Sequence, residues 1–306
     1  MFGNPRFYDS LPLVDKQATP LDRKRGHLHY DRRRLSGRIT GLFEAVQPLH
    51  VGTGLFVPPE AIGIETDIPL VKSFYQVQGR LTIPGSSLKG PVRSLVEAIT
   101  YSCISKTKNK KLDRRRHQEC QYQSKRHTGD LCPACQIFGA MGYQGQVEFT
   151  DSPLITGKSA IHQIPPQYQP KGDQARRYYP HELVDERGRI WPLEIAMPGC
   201  RFGFSVQFKN LIPAELGVIL IAFGQGSIPV CLKVGAGKSS GLGAIHFTEV
   251  RMEYLDFDQL YGELASEDAW QPLNVQECLG QARGLLREEE AVQAILTALA
   301  CNQVVR

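Results

Sequence analysis

The chain has 306 residues, 42% of them hydrophobic and 22% charged, with a net charge of +5, which suits a globular protein with enough chain for one large core or two ordinary ones. There is no run of about 18 uncharged apolar residues to cross a bilayer, and the opening MFGNPRFYDSLPLVDK lacks the apolar centre of a secretion signal. Membrane partners are therefore excluded, and a cytoplasmic protein with its eight cysteines reduced is expected.

Residues 1–36 are polar, basic and broken by Pro5, Pro12 and Pro20, an arm with little structure of its own. Alternation from Arg38 to Val46 predicts a strand. A long loop follows, with a short extended exit over Ile68–Val71. Leu88, Val92, Leu95, Val96 and Ile99 fall on one face at helical spacing, with Pro91 expected in or just before the first turn. Residues 103–143 are a cysteine-rich basic excursion. GQVEFTDSPLI is a strand, and 157–192, with five prolines, is a long insertion or hairpin. CRFGFSVQF is the clearest strand, PAELGVILIAF a helix opened by Pro213. A strand ending at Val234, the loop VGAGKSSGLGAI and the strand LGAIHFTEVRM come next. From about Asp256 the chain reads as short helices. Without its insertions the order is strand, helix, strand, strand, helix, strand. The fold class is thus α+β, a ferredoxin-like (RRM-like) βαββαβ core over 37–255 with a helical tail over 256–306.

Positive charge is unevenly spread. Arg23-Lys24-Arg25, Arg32-Arg33-Arg34 and the stretch Lys106–Arg116, with seven bases against one Asp, all fall in the first 120 residues, and three such clusters favour a nucleic-acid partner. The turn Gly85-Ser86-Ser87-Leu88-Lys89 at a helix start suits an anion, phosphate above all. In the glycine loop, Gly235, Gly237 and Gly241 permit close backbone approach, while Lys238, Ser239 and Ser240 supply charge and donors. It is not a nucleotide-binding P-loop, because position 232 is Leu232 and a strand follows where a helix is needed. The two segments are expected side by side, forming one cradle for a ribose-phosphate strand.

His117-x-x-Cys120 and Cys132-Pro-Ala-Cys135, eleven residues apart, have the spacing of a structural Zn2+ site, with Cys103 or His127 as alternatives to His117. Glu65 and Asp67 sit in a loop upstream of the serine–lysine turn, where a carboxylate near phosphate needs a metal or a proton. His50 is an RNA contact, an acid–base group or a structural histidine.

Together PLHVGTG, IPGSSLKGPVR, CPACQIFGA and GAGKSSGLGA resemble the RAMP superfamily of CRISPR effector subunits, and most of all the backbone subunits of type III complexes. The likeness covers roughly residues 38–250. It implies a palm that grips CRISPR guide RNA by its backbone, beside other type III subunits, with a thumb separating segments of the guide–target duplex. Gly85, Ser86, Ser87, Lys89 and Arg93 match the family's RNA-contacting turn and helix. Tyr168, Arg176, Arg177 and Tyr178 lie where the thumb belongs, as stacking and backbone contacts. The same resemblance implies a loop acid, Asp67 ahead of Glu65, that works with Mg2+ or Mn2+, or by proton transfer, to cut paired single-stranded target RNA. A non-catalytic guide-binding subunit, or a guide-processing nuclease using His50, are the alternatives.

Overall fold

The computed structural model describes residues 13–20, 26–27, 29–105, 112–113, 115–123, 129–166, 179, 190–257, 259 and 269–301. Strand β1 (Leu35–Ala45) is followed by β2 (Gly52–Val57), β3 (Val71–Phe74) and β4 (Arg80–Ile83). Helix α1 (Gly85–Ile99) comes next, then α2 (Pro133–Phe138) and the strands β5 (Val147–Phe149), β6 (Ser152–Thr156), β7 (Ser159–Ile164), β8 (Trp191–Ala196) and β9 (Arg201–Leu211). The chain continues through α3 (Pro213–Ala222), β10 (Leu232–Lys233), β11 (Ala244–Leu255), β12 (Trp270–Pro272), α4 (Val275–Gln281) and α5 (Glu289–Ala298). The class is mixed α+β.

One nine-stranded sheet runs β10, β11, β1, β9, β6, β4 and the short strand 76–77, with β5 also on β9 and β12 on β11. Every pair in it is antiparallel. Alternation along β1 and β9 sends Ile39, Phe43, Phe202, Phe204 and Phe208 inward, each at most 4% exposed. Phe43, Phe202, Phe204, Phe223 and Phe247 form one ring cluster with centroids 4.4–6.3 Å apart, beyond simple area burial a favourable arrangement. The opposite face of the sheet carries ion pairs, Arg38–Glu253 and Arg201–Glu249, each at 2.6 Å.

The apolar stripe of α1 is where its spacing predicts: Leu88, Val92, Leu95, Val96 and Ile99 are at most 1% exposed. Each such burial contributes about 1.5–3 kcal/mol as an upper figure. Pro91 departs from expectation. The helix begins at Gly85 after Pro84, so Pro91 lies in its second turn and deprives the Ser87 carbonyl of its usual donor. Helix α3 starts at Pro213 as predicted, and the Glu215 carboxylate accepts from the Ile212 amide at 3.0 Å. It packs on α1 and α4, and α4 and α5 feed Cys278, Val292, Ile295 and Leu296 into the same core.

The arm docks on the body. Asn210 Nδ2 donates to the carbonyls of Gly26 and His29 at 3.0 Å, and its Oδ1 accepts from the Asp31 amide at 2.9 Å. A second sheet, ordered β7, β8, β3, β2, stands beside the glycine loop. Its β7–β8 pair, registered from Ser159↔Ala196 to Ile164↔Trp191, forms the root of a hairpin whose outer part lies outside the described residues.

One expectation about thiols fails. Cys231 and Cys301 form a disulfide, with Cα atoms 4.9 Å apart. The antiparallel bridge Val230↔Ala300 brings these positions together, within the usual span for the bond.

Candidate nucleic-acid interface

The glycine loop joins β10 to β11 and is anchored by backbone. The Ala236 amide donates to the His50 carbonyl at 2.9 Å, and the Gly243 amide to that of Pro48 at 2.9 Å. Gly235 has φ +78°, and a Cβ there would lie 2.0 Å from the His50 carbonyl oxygen. Only glycine permits that approach. Lys233 fastens the loop from beneath, its Nζ donating to Gln47 Oε1 at 2.7 Å and to the Gly241 carbonyl at 2.8 Å. Burial lowers this ammonium's pKa to about 7. Leu242 packs against Ile164, Leu193 and Ile195 of the second sheet. Residues 238–240 make one 3-10 turn between Gly237 and Gly241, which leaves Lys238 half-buried, with burial lowering its pKa.

His50 lies directly under this loop. Its Nδ1 meets the Glu194 carbonyl at 2.6 Å. A carbonyl only accepts, so Nδ1 carries the proton and Nε2 keeps a lone pair. Burial depresses its pKa, so the ring is neutral near pH 7. Nε2 faces Gly52, where a Cβ would stand 2.7 Å away, and no hydrogen bond to it is found among the described residues. Nε2 is thus a neutral acceptor enclosed between two glycine-bearing segments, in a residue only 2% exposed. The orienting Glu194 is itself held: its Oε2 accepts from the Phe74 amide at 2.8 Å. The fold thus gathers His50, Gly235, Gly237, Lys238, Ser239, Ser240 and Gly241. It also brings in Lys72, whose charge opposes protonation of His50.

The other predicted half of the cradle lies elsewhere. Gly85 begins α1 against the β5–β6 turn, where a Cβ would lie 2.0 Å from the Phe149 carbonyl oxygen. That turn is on the far side of β9 and β1 from the glycine loop's strands, and no contact joins the two among the described hydrogen bonds. The single cradle is therefore corrected to two separate places. The helix start is already occupied: the Gly85 amide donates to Asp151 Oδ1 at 2.9 Å, which competes with any phosphate. Lys89 Nζ donates to the Val147 carbonyl at 3.2 Å. Arg93 turns to Glu97 at 2.8 Å and Glu119 at 3.3 Å, and its Nη2 reaches Cys135 Sγ at 3.6 Å. Ser86 is exposed and Ser87 half-buried.

The metal-ligand expectation changes at one corner. Cys103, Cys120, Cys132 and Cys135 are buried with all sulfurs within 4.8 Å of one another. Cys103 Sγ lies 3.4 Å from Cys135 and 3.6 Å from Cys132, near the edge of about 3.8 Å that a tetrahedral zinc–thiolate site has. The His117 ring faces Asp15 at 3.8 Å instead. Cys103 follows α1 immediately, so the helix itself delivers it; in sequence it is isolated from both ligand pairs. Amides of Cys103 and Cys132 donate to Cys132 and Cys120 sulfurs at 3.4 Å, contacts that favour the thiolate form a metal needs. Four soft donors, with no fifth ligand grouped with them among the described residues, suit a closed tetrahedral ion such as Zn2+.

Asp67 and Glu65 are exposed on the loop that enters β3. The thiol cluster is the one group of three or more metal-ligating side chains among the described residues, so neither acid belongs to such a group. Tyr168, Arg176, Arg177, Tyr178 and His127 lie outside the described residues, as do Arg23, Lys24 and Arg25. Among the described residues no helix is long and apolar enough to cross a membrane.

A family model described as "RAMPs: RAMP superfamily" matches residues 42–246, about two thirds of the chain. No curated protein matches it. Among solved structures the chain is similar to one described as "Cryo-EM structure of the Type III-B Cmr-beta bound to cognate target RNA", at 18% identity and a TM-score of 0.42, over 71% of this chain and 61% of that one. The chain thus spans less than two thirds of that chain's length.

Proposed function

The chain belongs to the RAMP superfamily, and we propose that it is a backbone subunit of a type III CRISPR effector complex that grips guide RNA by its sugar–phosphate chain. One observation carries the reading: the glycine loop, held on the carbonyls of His50 and Pro48, presents the half-buried ammonium of Lys238 on a fixed backbone turn. Lys238 and the hydroxyl of Ser239 would face phosphate. None of these groups reads a base edge, so sequence would be left to guide pairing. The strand order β11, β1, β9, β5 with α1 and α3 packed together supports a ferredoxin-like palm, and the β7–β8 root supports a thumb. The cysteine cluster would be a structural Zn2+ site that fixes the basic excursion and, through Arg93, the side of α1.

Target cutting is the catalytic part of the proposal. Asp67, or Glu65, would take the 2′-hydroxyl proton or hold the Mg2+ or Mn2+ that assists. The 2′-oxygen would bond to the adjacent phosphorus as the bond to the 5′-oxygen breaks, and that oxygen would leave with a proton from water. A second reading, a non-catalytic guide-binding subunit, is favoured by the exposure of both acids and by neither belonging to a group of three or more metal-ligating side chains among the described residues. Purifying the protein with its native partners and sequencing the RNA that accompanies it tests the grip. CRISPR repeat-derived guides are expected; absence of RNA, or random fragments, refutes it. Asp67→Ala in that complex separates the two readings: lost target cutting with guide retained supports catalysis, and unchanged cutting removes Asp67.

A further inference from the structure

The second sheet carries an aromatic pair on the face it turns to the glycine loop. Lys72 sits on β3 with Phe56 opposite it on β2 and Leu193 beside it on β8. Directly paired residues share a face, and so do residues two apart on a strand, which puts Trp191 on that face too. Lys72 Nζ is 3.9 Å from the Trp191 ring centroid and 5.3 Å from that of Phe56. The ammonium therefore stands between two rings. Inward on the same face, Leu193 closes against Leu242 of the glycine loop, so the aromatic pair and the loop are two ends of one packed surface.

The rings are nevertheless open. Trp191 is 38% exposed and Phe56 55%, and among the described residues no carboxylate pairs with Lys72. An exposed apolar patch alone would fit a protein partner. Here the patch is centred on an unneutralised cation, which a protein interface would have to strip of water or match with an acid. A nucleotide satisfies both halves at once, a base against a ring and a phosphate against the ammonium.

We propose that Phe56, Lys72 and Trp191 form a stacking site for one nucleotide of single-stranded RNA, continuous with the glycine loop over His50. This rests on the RNA-gripping reading above and extends it to a base-stacking position that is indifferent to sequence, since every base has a ring face.

The chain has two tryptophans, and Arg38 covers Trp270 at 4.2 Å, so Trp270→Phe leaves Trp191 as sole emitter in the full-length protein. The probe is a labelled oligouridine of about 20 nucleotides, long enough to cover both ends of the surface. Trp191 emission is expected to fall as RNA binds. Trp191→Leu should weaken binding about 5- to 150-fold, the range for one stacked base, and Trp191→Phe should stay within a few-fold. Lys72→Gln, which keeps the shape of the site, should lower the slope of log affinity against log salt by about one. RNA that binds with unchanged Trp191 emission and unchanged affinity in Trp191→Leu and Lys72→Gln overturns this site and leaves the grip standing. No binding to the unsubstituted protein overturns both. Unchanged RNA affinity together with lost association with partner subunits in Trp191→Leu makes the patch a protein interface and also overturns the proposal.

Discussion

Gly235→Ala tests whether the glycine loop is held against the His50 backbone as tightly as the distances require. Two costs act at this position. Alanine at φ +78° is strained by about 1–2 kcal/mol. Its Cβ would also lie 2.0 Å from the His50 carbonyl oxygen, a clash with backbone that no side-chain rotation relieves. The loop must then move, losing the Ala236-to-His50 hydrogen bond, about 0.5–1.5 kcal/mol, and loosening Leu242 in its contact with the second sheet. Gly63 supplies the control: its φ is +72°, and a Cβ there meets nothing within 4 Å. Gly63→Ala should therefore cost only the conformational part. In urea unfolding, Gly235→Ala is expected to lose about 3 kcal/mol or more and Gly63→Ala about 1, with RNA affinity reduced in the first variant alone. Equal losses in the two variants would refute the close approach that fixes the loop.

Cys103→Ser should lower bound zinc well below one ion per chain and destabilise the fold by several kcal/mol, measured by metal analysis and melting, whereas His117→Ala should retain the ion. Retention by the first and loss by the second would restore His117 as ligand. For Lys233, burial lowers the folded pKa from 10.5 to about 7, so between those values the unfolded chain binds the proton and the folded one does not. Stability from this group therefore rises with pH from about 7 towards 10. The stability of the unsubstituted protein minus that of Lys233→Met should climb across that window by a few kcal/mol at most; a flat difference would mean that the ammonium is stabilised where it lies. Arg93→Ala is expected to destabilise the cysteine excursion more than it weakens RNA binding, because Glu97, Glu119 and Cys135 hold its guanidinium. A loss of RNA affinity at unchanged stability would return Arg93 to the interface.

Much of the architecture was legible because it rests on periodicity. The stripe on α1, the alternating phenylalanines of β9 and the proline opening α3 each state their element locally. What the sequence could not convey was contact between distant segments. The IPGSSLKG turn reads as an anion site from its composition, yet its glycine is required by the Phe149 carbonyl and its first amide is taken by Asp151. Cys103 belongs to the thiol cluster only because α1 ends beside it. Cys231 and Cys301 are 70 residues apart, and a strand bridge joins them. The aromatic pair around Lys72 was hidden for the same reason. Phe56, Lys72 and Trp191 come from three strands, and their partnership depends on a parallel pairing that a one-residue slip would undo.

Hydrogen exchange of the purified protein with and without single-stranded RNA bears most directly on the central claim. Protection centred on the peptides that carry His50–Phe56 and Gly235–Gly241, strongest at low salt, is the predicted result. Protection at the start of α1 with none at the glycine loop would contradict it.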